Sequence, residues 1–150
     1  SGTEGSITGT GVAGVVAYNT FTGSHYSQSD EITEETKVGS VLCSTEEMSK
    51  WDKEICDHLP KCILSKRKED KAIYGVYGGR DRDGDVLVLS LGAGKILVNN
   101  ENGEIKLGDL LCSSSKAGEA MKYEGNDARV IIGKARQSKT GLIACTLMCG

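Results

Sequence analysis

From Asn102 to Gly150 short apolar runs alternate with turn residues, and no stretch keeps a helical period for long. A chain whose last third is patterned this way has to bury its apolar side chains from strands. Asn102-Gly103 is the sharpest local signal, because a two-residue loop needs positive φ at its centre. It predicts a hairpin between Lys95–Val98 and Ile105–Leu107. Further strands are expected at Leu110–Cys112, Ala128–Ala135 and Leu142–Met148. Upstream, Val86–Leu89 is apolar on both faces and reads as a central buried strand entered from an Asp83-Gly84 turn. Val38–Cys43, Ala72–Tyr77 and Gly14–Phe21 read as shorter strands, the last ending in a Thr22-Gly23-Ser24 turn. Twenty glycines, one proline and 5% aromatic residues suit a turn-rich β protein.

One helix is predicted. Ser44-Thr45-Glu46-Glu47 fits a capping box, Met48, Trp51, Ile55 and Leu59 follow at helical spacing, and Pro60 stops the run. The expected fold is therefore mainly β, a compact antiparallel β-rich single domain with one short peripheral helix. Residues 1–11, rich in glycine and polar side chains, read as an arm or linker ahead of a body spanning 12–150.

Several function classes have little support. The formal charge of −3 gives no electrostatic reason to expect nucleic acid. No apolar run approaches the ~20 residues of a membrane span, and no signal peptide is evident. Gly9-Thr10-Gly11-Val12-Ala13-Gly14 spells G-x-G-x-x-G, but polar linker precedes it and strand-like residues follow, against a dinucleotide fold. Gly94-Lys95 lacks both the earlier glycine and the following hydroxyl of a phosphate loop. Asp81-Arg82-Asp83-Gly84-Asp85 resembles the opening of a calcium loop whose closing glutamate is replaced by Gly92, so a turn is expected and no metal. The six cysteines include no C-x-x-C pair, and His25 and His58 lie far apart, so buried free thiols are expected ahead of a zinc site or a disulfide framework. Lys66-Arg67-Lys68-Glu69-Asp70-Lys71 reads as a solvated loop, with an anion site as the sharper alternative.

Gly108-Asp109-Leu110-Leu111-Cys112-Ser113-Ser114, then Ala117-Gly118 and Met121-Lys122, resembles a "GD-hydrophobic-CTS…G…MK" signature. Ile132-Gly133-Lys134-Ala135 is similar to the "VxAKA" strand that follows it, and Leu142-Ile143-Ala144-Cys145-Thr146 with Cys149-Gly150 to a closing "LIACT…CG". Gly92–Val98 and Phe21-Thr22-Gly23-Ser24-His25 resemble its upstream "GEGxIxV" and "FTGxH" elements. The family is the autoproteolytic C-terminal intramolecular chaperone of phage tail-spike and neck-appendage proteins, found also in large eukaryotic viruses and classed with glutamic-type peptidases.

The resemblance implies a homotrimer that aligns the N-terminal fibre portion of its own precursor and is then released by self-cleavage. It places the work in the host cytoplasm during virion assembly, with the parent protein on the virion. It implies no resident cofactor, although some relatives couple release to ATP. The family's junction glutamate falls on Glu4, acting as general acid or base on the bond preceding Ser1, with His25 as a second candidate for proton transfer. The residues alone leave open that Ser1 and Glu4 belong to a solvated linker and that His25 is structural. An uncleaved trimerisation knob and a carbohydrate-binding module are the alternative functions.

Overall fold

The computed structural model describes residues 7–9, 16–18, 22–50 and 59–149. Its organising element is a strand of 13 residues, β7 (Val86–Val98), flanked by different partners along its length. Before it in the chain come β1 (Ile7–Gly9), β2 (Val16–Tyr18), β3 (Thr22–Ser27), β4 (Val41–Met48), β5 (Pro60–Leu64) and β6 (Ile73–Arg80). After it come β8 (Leu110–Ser113), β9 (Ala120–Tyr123), β10 (Gly133–Ala135) and β11 (Gly141–Met148). β1 and β2 form their own two-stranded antiparallel ribbon.

Val88 pairs with both His25 and Tyr77, so β3 and β6 lie on opposite edges of the first half of β7. Beyond β6 the sheet continues through β4 to β5. The second half of β7 pairs with β11, from Leu91↔Met148 to Val98↔Gly141. From there the order runs β11, β10, β8, β9, and β9 returns to β7 at Val98↔Ala120. The domain is thus compact and built on a closed barrel. The closing contact is parallel, the exception to the otherwise antiparallel pairing expected from the sequence.

A register irregularity explains how both halves share β7. Val86, Val88, Ile96 and Val98 are all buried, but the two pairs face opposite ways, because the β3 pairing skips Ser90 (Gly23↔Leu91, Ser24↔Leu89) and the inward side chains change face there. Val86 and Val88 pack with Leu42, Cys62 and Tyr77 in one core. Ile96 and Val98 pack with Leu111, Ile132, Ile143 and Leu147 in the other. Gly92 and Gly94 share the face of Ile96 and Val98. A Cβ on Gly94 would stand 2.8 Å from Leu147 Cδ1, so glycine there lets the β11 leucine close the barrel. A third, smaller cluster of Cys112, Met121, Tyr123 and Val130 lies under a short 3-10 turn, Ala128–Val130.

Several local expectations are corrected. Ser44-Thr45-Glu46-Glu47 does not cap a helix: these residues continue β4, carried on by the Val41-Leu42-Cys43 run. Ser44 N–H donates to Ala72 O, and Thr45 Oγ1 donates to Lys61 O across the β5 pairing. Residues 51–58 of the expected helix lie outside the described residues. Asn102-Gly103 makes a turn but not a hairpin, since β11 rather than Ile105–Leu107 pairs with β7. Ile105 is instead a core residue in irregular chain, and Lys106 and Leu107 donate their N–H groups to Asp109 and Ser138 side chains. Thr22-Gly23-Ser24 is strand rather than turn, with a register shift after Gly23. Ala128–Val130 is 3-10 rather than strand because Asp127 accepts from Arg129 N–H and starts a turn there. Residues 38–40 are a turn ahead of β4, which runs on to Met48.

Candidate functional site

Ser1 and Glu4, the residues expected at a cleavage junction, lie outside the described residues. His25 is described. It sits in β3, half-buried, with its ring centroid 4.4 Å from that of Tyr74 at an interplanar angle of 48°. Burial pushes the Tyr74 hydroxyl up to about 12, with Cys62 adding to the effect. That neighbourhood is aromatic and poorly solvated.

Four of the six charged side chains from Lys66 to Lys71, in the loop between β5 and β6, are paired. Lys66 pairs with Glu31 at 2.8 Å, Lys68 with Glu101 at 3.0 Å, and Arg67 with Asp70 at 3.2 Å. Its backbone is held by one buried serine. Ser113 Oγ donates to Arg67 O (2.7 Å) and accepts from Asp70 N–H (2.9 Å), while Ser113 O accepts from Glu69 N–H (3.1 Å). These bonds hold Glu69 at φ +50°, a left-handed conformation costly for a residue with a side chain. Residues 67–71 line a shallow hollow of about 240 Å³, in which Arg67 and Lys68 are already paired with carboxylates.

A second hollow, of about 470 Å³, opens beside β5 and is lined by Asp30, Glu31, Thr45, Glu47, Lys61 and Lys66. Lys61 reaches Glu47 at 2.6 Å and Asp30 at 3.6 Å, and the hydrogen bond to Glu47 raises its pKa. An ammonium held this way is no nucleophile. Asp81, Asp83 and Asp85 place carboxylate oxygens within 4.8 Å of one another at the β6–β7 turn. Asp81 Oδ1 accepts from the N–H groups of both Asp83 and Asp85, and Gly84 N–H donates to Asp81 O, so the cluster is built as the turn itself.

The five described cysteines are free thiols. Burial pushes Cys43, Cys112, Cys145 and Cys149 up to about 12, which removes the thiolate character a nucleophile needs. Of the tyrosines whose burial is described, Tyr77 and Tyr123 are buried and Tyr26 and Tyr74 half-buried. None of these four offers an exposed ring face for a sugar to stack on.

What the sequence reading missed is the outer face of β7 and β11. Leu91 and Leu97 on β7 pair with Met148 and Leu142 on β11, with Ala93, Lys95, Ala144 and Thr146 between them. Leu91 is 53% exposed, Leu142 40% and Met148 37%, and Val38, next to Gly39 under Leu142, is 49% exposed. At the usual rise per strand residue the strip is ~20 Å long. The odd-even alternation of Leu91–Leu97 carried the signal, visible only once β7 is known to run through to Val98.

No protein-family model matches the chain, and a comparison with curated proteins gives no match either.

Proposed function

We propose that this chain is a trimer-forming chaperone cap of a viral fibre or tail-spike protein, released from its precursor by self-cleavage ahead of Ser1. The observation that carries the reading is the placing of the resembling segments. Gly92–Val98, Leu110–Ser114, Met121-Lys122, Gly133–Ala135 and Leu142–Thr146 fall on β7, β8, β9, β10 and β11, the strands of one closed barrel. The apolar strip on the outer wall of β7 and β11 also favours it, since such strips mark contact surfaces.

A module that brings three copies together removes much of the entropy cost of aligning an elongated fibre. Its departure then leaves the product kinetically trapped. Self-cleavage needs little machinery, because folding holds the bond beside its catalyst at effective molarities of ~10⁵ M or more. Glu4 is the general acid or base in this reading, and any dependence on ATP follows the same resemblance. The work takes place in the host cytoplasm during assembly.

The test is to express the chain behind its natural upstream segment and follow both the denaturing-gel pattern and the solution mass. Two fragments, a trimeric mass and loss of cleavage in Glu4→Gln are expected. A single-subunit mass at all concentrations refutes the proposal. An intact trimer points to an uncleaved knob, and retention on a glycan column to a carbohydrate-binding module.

A further inference from the structure

β9 rejoins β7 through one bridged pair, Val98↔Ala120, and the loop after β7 supplies the rest of the barrel's closure. Asn99 N–H donates to Ala120 O (2.9 Å), and Asn99 Nδ2 to Ser114 Oγ (2.9 Å). The Glu101 carboxylate accepts from both Ser115 N–H and Ser115 Oγ. Asn102 Nδ2 donates to Lys122 O (2.9 Å), covering a main-chain acceptor of β9. Residues 99–103 are therefore a clasp across the seam.

The clasp contains an asparagine followed by glycine, both exposed, and a Cβ built on Gly103 would meet nothing within 4 Å. A glycine leaves its backbone nitrogen unshielded by any side chain. We propose that Asn102–Gly103 is a latent self-modification site guarded by this clasp. The Gly103 nitrogen, giving up its proton, attacks the Asn102 side-chain carbonyl carbon. The carbon–nitrogen bond of the side-chain amide breaks and ammonia leaves, forming a cyclic imide. Water then opens the ring at either carbonyl, giving aspartate or isoaspartate.

In the closed barrel both reacting groups are engaged. Gly103 N–H donates to Asn100 O (3.0 Å), and the Asn102 amide is held on Lys122 O. The reaction therefore waits for local opening of the seam. Its product cannot restore the closure. A carboxylate has no hydrogen to offer the Lys122 carbonyl, and isoaspartate lengthens the turn by one main-chain carbon. A seam that stays open long enough is marked irreversibly.

Incubating the chain at mildly alkaline pH, in native buffer and in urea, tests this by peptide mass mapping of the residues around 102. The expected result is the mass gain of exchanging NH for O, roughly tenfold or more faster in urea than in native buffer. Asn102→Asp should also unfold at lower denaturant than Asn102→Ala, which removes the donor without adding charge. Equal rates in the two buffers, or no conversion in urea, overturn the proposal. Equal midpoints for the two variants overturn the damage to the seam. If Asn102→Asp fails to fold, the rates of the unaltered chain decide the question alone.

Discussion

Replacing Ser113 by alanine tests how the loop between β5 and β6 is attached to the barrel. The side chain is fully buried and makes hydrogen bonds of 2.7 Å and 2.9 Å to Arg67 O and Asp70 N–H. A typical bond contributes about 1 kcal/mol net, and a buried partner left unsatisfied costs about 1–3 kcal/mol. Asp70 is the sheltered partner, its side chain only 9% exposed, whereas the loop at Arg67 is open to water. The sum is about 2–3 kcal/mol. At a urea slope of about 2 kcal/mol/M that lowers the midpoint by about 1–1.5 M. The matched control is Ser115→Ala, which removes an exposed hydroxyl bonded to Glu101 at 2.6 Å and should cost about 1 kcal/mol or less. Urea unfolding of the two variants, followed by tryptophan emission and by circular dichroism, measures both. A Ser113→Ala cost below about 0.5 kcal/mol, or one equal to that of Ser115→Ala, would refute the reasoning, because burial would then not decide the outcome.

Glu69→Gly should gain up to about 1 kcal/mol by relieving the positive φ, partly offset by the freedom glycine has when unfolded; a loss in thermal unfolding would show that the side chain matters more. Glu101 is held down to about 2 by Ser115 and Lys68, so its contribution is present above the ordinary value of 4.5 and is lost as pH falls through about 2. Glu101→Gln should flatten the acid limb of a stability–pH curve in that window and leave the neutral region's slope unchanged. The buried thiols, pushed up to about 12 from an ordinary 9.0, stabilise the fold fully below pH 9.0, a contribution lost as pH rises towards 12. Native Cys43, Cys112 and Cys145 should accordingly resist a thiol reagent near pH 8, with all six cysteines reacting in denaturant; fast native labelling of those three would contradict their burial.

The β character was legible because most strands carry an apolar run of their own, and Val86–Leu89 announced a central strand by being apolar on both faces. What escaped were the long-range choices. Lys95–Val98 is followed three residues later by Asn102-Gly103, the best local hairpin signal in the chain, yet its partner is Leu142 and its neighbours. No local rule reveals that preference, because it depends on Ile143, Cys145 and Leu147 filling the barrel. Ser44–Glu47 failed for a related reason: capping chemistry is local, while the pairing that overrode it comes from β5 and Ala72. Of the candidate site, His25 could be named from the sequence, but its contact with Tyr74 joins positions far apart in the chain and had no local signal.

β7 serves one apolar interior from each of its faces, changing over at the irregularity beside Ser90, and this ties their fates together. Sliding that strand by a single position would turn Val86 and Val88 out of one interior and Ile96 and Val98 out of the other, emptying two rather than one. Errors of register are thereby penalised twice over, and neither half of the molecule can loosen its grip on the shared strand without weakening the other.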